Sequence, residues 1–262
     1  MFEGFFGEKH LIALAACVGF LLIFFVSLRL FDKKLQPARG KTYVLRVIAL
    51  SMIILEFIKM VYTLSSAPDA SGPDQVIPYN LFPFQLCSMP LLLFPLFSFG
   101  GERTRRIIGP PAFIIGCLAG VITLVYPANV IGDISMPWTQ WQFYPLYSFL
   151  YHTLMIAFAG YMVQSKLYRL KAFDFVWAFG GLFLLAMVAI VLNSVIENAD
   201  FFMLGRGEGS PFQFIIDATN QFVYILFMAG LAALLIFLVY SYWIIKALVV
   251  FIKKRKAART EV

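Results

Sequence analysis

Residues 80–95 read NLFPFQLCSMPLLLFP, an apolar segment that carries a thiol, an amide and three prolines. Proline lacks a backbone donor and crowds the preceding turn, so Pro83, Pro90 and Pro95 predict a kinked or loosened helix beside Gln85 and Cys87. Irregular backbone at membrane depth is tolerated only where protein or a water-filled cavity covers it. The segment therefore predicts a helix bundle with Cys87 facing its interior, at or near a site.

The rest of the chain agrees with a membrane setting. Of 262 residues, 61% are hydrophobic, 17% aromatic and only 13% charged, with a mean hydropathy of +0.84. A soluble domain has roughly 45–50% apolar and about 25% charged residues. The expectation is an all-α polytopic bundle forming one transmembrane domain over residues 1–262, with 253–262 as a basic tail. A spanning helix needs about 20 apolar residues. On that measure seven are expected, over His10–Phe31, Thr42–Leu64, Leu81–Phe99, Ile107–Tyr126, Tyr144–Gln164, Phe175–Ile196 and Gln213–Ile252. Acids precede the first apolar run and no basic leader does, so that run reads as a first membrane helix and not a cleaved signal peptide.

The Lys and Arg content of the loops alternates. Lys33, Lys34, Arg39 and Lys41 follow the first helix; Arg103, Arg105 and Arg106 the third; Lys166, Arg169 and Lys171 the fifth; and Lys253, Lys254, Arg255, Lys256 and Arg259 the last. Loops 65–80 and 127–143 have none, and 197–212 has only Arg206. The positive-inside rule then puts the N-terminus outside and the C-terminus in the cytoplasm. The net charge of +7 is thus a topology signal, with anionic lipid as a further contact, and not a nucleic-acid footprint. Trp138 and Trp141, with Phe143 and Tyr144, suit a membrane interface or an outer lid. No internal repeat is visible, which disfavours a transporter of inverted halves.

Placed along these helices at about 1.5 Å per residue, the polar residues gather toward one side. Cys87 falls roughly 9 Å below the outer boundary, with Gln85 about a turn shallower; His152 and Glu56 fall roughly 12 Å down, and Lys59 nearer the surface. Asn193 and Glu197 close the sixth helix, and Asp217, Asn220 and Gln221 occupy the outer part of the seventh. The inner half holds mainly Arg29 and Arg46, which can snorkel. A charge deep in the bilayer costs about 2.5–3.5 kcal/mol on insertion scales, so several at one level predict mutual pairing around a shared cavity. Each also has a structural role open to it. Glu56 and Lys59 suit an (i, i+3) ion pair; Asn193, Asn220 and Gln221 suit interhelical hydrogen bonds; His10 suits an interface.

Cys17, Cys87 and Cys117 all lie in apolar runs, which argues against a disulfide framework and a zinc motif. No metal or cofactor is expected. A thiol becomes a nucleophile beside a base, most often histidine, and Cys87 and His152 share a depth on different helices. The chemistry this allows is acyl transfer from a lipid ester through a thioester, with Gln85 or Asn193 donating to the oxyanion. No HExxH, GxSxG, phosphate-loop or dinucleotide pattern is present.

NLFPFQLCSMPLLLFP resembles the proline-flanked H-L-C segment of the YwaF-like integral membrane proteins; LVYPAN, YSFLYH and LNSVIENADFFML resemble their turn after helix four, their helix-five histidine segment and their asparagine-rich end of helix six. An animal relative of that family remodels ether phospholipids as a transmembrane acyltransferase. The resemblance implies Cys87 as nucleophile, His152 as base or acid, and a bacterial plasma membrane. Where the family has histidine two residues before the cysteine, this chain has Gln85. The expectation is a lipid-modifying protein whose partners are membrane lipids. Two alternatives stand beside it: a transporter or channel using Glu56 and Asp217, and a receptor-like lipid-binding protein without turnover.

Overall fold

Without water to bond to, an apolar chain satisfies its backbone within itself, and here it does so as helices. The computed structural model describes residues 8–31, 38–66, 84–126, 143–196, 199–207 and 210–260, and no strand occurs among them. The helices are α1 (Glu8–Leu30), α2 (Ala38–Ser66), α3 (Pro90–Phe99), α4 (Glu102–Ile114), α5 (Gly120–Val125), α6 (Phe143–Gln164), α7 (Asp174–Val195), α8 (Gln213–Ala218) and α9 (Gln221–Thr260). The start of the third expected helix, Glu197, and the interfacial Trp138 and Trp141 lie outside the described residues.

Among the described residues five stretches are long and apolar enough to cross a membrane: His10–Leu30, Glu102–Val125, Phe143–Gln164, Asp174–Val195 and Gln221–Lys253. Helix α2 is 29 residues long and carries Arg46, Glu56 and Lys59 along its length. The apolar stretch Leu86–Phe99 is shorter. It begins as a 3₁₀ turn, Leu86–Ser88, and becomes α-helical at Pro90, where a proline loses nothing because a first-turn N–H has no helical acceptor.

Burial separates the centre of the bundle from its rim. The most apolar windows of Glu102–Val125 and Phe143–Gln164 are 61% and 56% buried, against 6% for His10–Leu30 and 11% for α7 and α9. Helix α6 is central, packing on α1, α2, α4 and α5. At its heart Phe94 of α3 stacks on Phe158 with ring centroids 3.8 Å apart, and neither ring is exposed. The rim helices turn Leu22, Ile23, Trp177, Leu184 and Leu234 outward. So much exposed apolar surface suits lipid and not water.

The approach of α6 to Glu102–Val125 depends on two glycines. Pro110 and Pro111 sit inside α4 and withhold two helical donors. Downstream the chain makes a π-helical turn over Ile115–Ala119 before α5 resumes. A Cβ on Gly116 would meet Ala159 Cβ at 2.8 Å and Met155 O at 3.1 Å; one on Gly120 would meet Ile156 Cγ1 at 2.7 Å and His152 O at 3.1 Å. Small residues let backbones come this close, which is how helices associate where lipid gives no hydrophobic drive.

The expected seventh helix, Gln213–Ile252, is broken. The N–H of Thr219 donates back to Ile215 O and Ile216 O, closing α8, and Asn220 Oδ1 accepts from Val223 N at 3.0 Å, an N-cap for α9. At the other end of the bundle Tyr168, in the α6–α7 turn, donates to Asp174 Oδ2 at 2.8 Å and meets the Tyr240 hydroxyl of α9 at 3.0 Å.

Gly116→Leu is expected to lower the melting temperature in detergent by several degrees, since overpacking a close contact costs about 1–3 kcal/mol. Gly19→Ala, where a Cβ meets nothing within 4 Å, should melt as the unsubstituted chain does. Equal melting of both variants would refute the close-packing role of Gly116.

Candidate functional site

Spacing on two helices builds a buried polar cluster. Glu56 and Lys59, three apart on α2, share a face, and the buried Glu56 carboxylate has both oxygens engaged. Lys59 Nζ pairs with Oε1, and the Tyr147 hydroxyl of α6 donates to Oε2. The ammonium also lies 5.5 Å from the Tyr147 ring centroid. Membrane-buried charges persist where they are paired in this way.

Four residues on, Tyr151 stacks on Tyr147 at 5.4 Å and presents its ring to the edge of His152 at 5.7 Å. Tyr151 and His152 are 2% and 4% exposed. His152 Nδ1 lies 2.7 Å from the Ser148 carbonyl and 3.0 Å from the Ser148 hydroxyl. A carbonyl only accepts, so Nδ1 carries the proton and Nε2 is left with a free lone pair. Nε2 and the Tyr151 hydroxyl are buried without a hydrogen-bond partner. An unpaired buried polar group costs about 1–3 kcal/mol, so each of these atoms has bonding capacity that the described residues do not fill.

Cys87, half-buried in the 3₁₀ turn before α3, lies within electrostatic reach of Glu56, Lys59, Tyr147 and Tyr151. Its turn packs against the π-helical turn that holds Cys117. No hydrogen bond joins Cys87 to His152. The structure thus brings together Cys87, Glu56 and Lys59 with two tyrosines that the sequence reading omitted. Their signal was present in YSFLYH, where Tyr147 and Tyr151 share one face of the helix and Ser148 and His152 the next.

The amides do a different job. Gln85 Nε2 donates to Asp200 O at 3.3 Å while its Oε1 accepts from Phe202 N at 3.1 Å. Asn193 Nδ2 donates to Phe201 O at 3.0 Å and its Oδ1 accepts from Phe201 N at 2.7 Å. Gln221 Nε2 donates to Leu204 O at 3.0 Å, and Asp200 Oδ1 accepts from Gly205 N and Arg206 N at 2.7 and 3.1 Å. Together they hold a buried irregular segment in which Phe202 and Met203 take φ of 58° and 56°, a strained region for side chains of that size. Gln85 and Asn193 therefore face backbone and not an oxyanion. Asp217 is exposed on α8, and Asn220 caps α9. His10 reaches the far side of α6, donating from Nε2 to Leu124 O at 2.8 Å. Cys17 lies 4.0 Å from Phe149 O. Among the described residues no three His, Cys, Asp or Glu side chains converge as a metal site.

An all-α chain with five stretches fit to cross a bilayer, an apolar rim and a buried polar cluster is a multi-pass membrane protein. Residues 5–240 match the TMEM164 family, and the chain belongs to it. No curated protein and no solved structure matches it.

Gln85→Ala with Asn193→Ala removes the side-chain acceptors of the Phe202 and Phe201 N–H groups. Hydrogen exchange at the Phe201 and Phe202 amides should accelerate about tenfold or more, in line with about 1–3 kcal/mol per lost bond. Unchanged exchange in the double variant would mean that other contacts hold the segment.

Proposed function

We propose that this protein is a lipid-modifying enzyme that transfers or hydrolyses a phospholipid acyl chain, with Cys87 as nucleophile and His152 as base. The observation that carries the reading is the pair of buried, unpartnered atoms on α6, Tyr151 Oη and His152 Nε2, in the same buried layer as a thiol and a paired carboxylate. The His152 tautomer set by Ser148 suits a base, because the free nitrogen is the one able to take a proton. The likeness to the YwaF-like proteins and their acyltransferase relative supports the same assignment. The exposed apolar rim, suited to lipid, is in keeping with a lipid substrate. The reading also takes α2 and the Leu86–Phe99 segment as membrane passes, giving seven, with the N-terminus outside. The alternating basic loops support that orientation.

In the proposed reaction Cys87 loses its proton to His152 and its sulfur attacks the ester carbonyl. A C–S bond forms, the C–O bond to the glycerol oxygen breaks, and His152 returns the proton to the leaving lysolipid alkoxide. A second lipid hydroxyl, or water, then attacks the thioester, giving transfer or hydrolysis and restoring the thiol. Because no hydrogen bond joins Cys87 to His152, the proton crosses by way of the acceptor hydroxyl or water. The Tyr151 hydroxyl is the donor for the oxyanion.

Cys87→Ala and His152→Ala are each expected to remove acyl transfer and hydrolysis from liposomes containing the reconstituted full chain, whereas Cys117→Ala retains activity. Unreduced turnover in both the Cys87 and His152 variants would sink the mechanism. Ion or solute flux sensitive to Glu56→Gln but indifferent to Cys87→Ala would replace it with a transporter.

A further inference from the structure

The end of α3 remote from Cys87 holds a second polar feature that the proposed chemistry does not use. Arg46 Nε of α2 and Arg105 Nη2 of α4 both donate to the Ser98 carbonyl, at 3.3 and 3.4 Å, and Arg105 Nε donates to Phe97 O at 3.1 Å. The guanidinium carbons lie 4.8 Å from the Phe99 ring centroid for Arg46 and 5.9 Å from that of Phe97 for Arg105. Both side chains are half-buried.

These bonds cap the end of a helix, but they leave most of the charge unanswered. A helix C-terminus offers about half a negative charge, against two cations close enough to repel each other. Among the described residues neither arginine has a carboxylate partner. Glu102, in the first turn of α4, is exposed and pairs with neither. Each guanidinium has five N–H donors in a planar fork, and the bonds above occupy three of the ten. Backed by aromatic faces, the free edges are held in place. The pair stands at the end of a short apolar helix, with Arg103 and Arg106 exposed nearby in the first turns of α4.

We infer that Arg46 and Arg105 form a binding site for a phosphate group at this end of α3, and that the phosphate is the headgroup of an anionic lipid. Forked donors match phosphate oxygens bidentately, and a dianion or monoanion there balances the two cations. The inference stands apart from the Cys87 chemistry. It holds on whichever side of the membrane α3 ends.

The test is native mass spectrometry of the full chain in neutral detergent, titrated with phosphatidylglycerol, phosphatidylcholine or inorganic phosphate. Phosphatidylglycerol is expected to bind in preference to phosphatidylcholine. Arg46→Gln with Arg105→Gln should weaken that binding about tenfold or more, while Arg103→Gln with Arg106→Gln, at exposed positions, should weaken it less than about twofold. Since Arg46 and Arg105 also cap α3, Arg46→Lys with Arg105→Lys keeps both charges and the fold without the fork. That variant is expected to melt near the wild-type temperature and still bind weakly. Equal losses from the two glutamine pairs would reduce the site to diffuse basic attraction, and undiminished binding by the lysine pair would overturn recognition by the fork. Inorganic phosphate that displaces the lipid, or binds in its place, would keep the phosphate site but overturn the assignment to a lipid.

Discussion

A backbone N–H or C=O left unpaired in hydrocarbon costs several kcal/mol, and the architecture of this protein follows from the places where its helices stop obeying that constraint alone. Each break is answered by a side chain from a neighbouring helix. The 199–207 segment, which lies between α7 and α8, is held by Gln85, Asn193, Gln221 and its own Asp200. The end of α3 is held by Arg46 and Arg105, and the end of α5 by His10. Because the bonds of Gln85 to Asp200, Arg46 to Ser98 and His10 to Leu124 join elements distant in sequence, the breaks also help fix the helices against one another.

The same constraint accounts for where the polar cluster sits. Helix α3 is too short to cross the apolar layer alone, so its ends fall within the bundle. Pro90 begins it and the 3₁₀ turn before it carries Cys87 inward; its C-terminal carbonyls draw two arginines inward. Along α2 the positions of Arg46 and Glu56 are roughly 15 Å apart, about the length of α3. One helix thus has a cation at the level of one end of α3 and an ion pair at the level of the other. Helix α6, packed closely against Gly116 and Gly120, brings Tyr147, Tyr151 and His152 to the upper of these levels.

Composition and periodicity made the all-α membrane class legible, and the boundaries of α1, α6 and α7 follow the apolar runs closely. The break between α8 and α9 was hidden because Thr219 and Asn220 interrupt an apolar stretch with residues that are tolerated inside a helix. Only the cap geometry makes Asn220 a start signal. Glu56 with Lys59 was legible from spacing alone. The tyrosines were not, since a tyrosine in an apolar helix reads equally as interfacial or core, and only the bond of Tyr147 to Glu56 and the unpartnered Tyr151 hydroxyl at 2% exposure separate the cases. Depth along a helix places residues at a level but says nothing of direction. Gln85, Asn193 and Gln221 were read at one level, and their amides turn to the 199–207 backbone.

Gln85 bears most directly on the proposed chemistry, for it stands where the YwaF-like pattern has histidine. Its amide gives one donor and one acceptor to backbone groups two residues apart, Asp200 O and Phe202 N. A neutral imidazole also has one donor and one acceptor, so either side chain can bridge a carbonyl and an N–H. On this argument the position is a clamp first: it fixes the turn that carries Cys87 to the strained segment beside it, and a glutamine fulfils that task without any proton transfer. Base chemistry is then asked of His152 alone, whose free nitrogen is kept by the Ser148 carbonyl and buried away from competing donors.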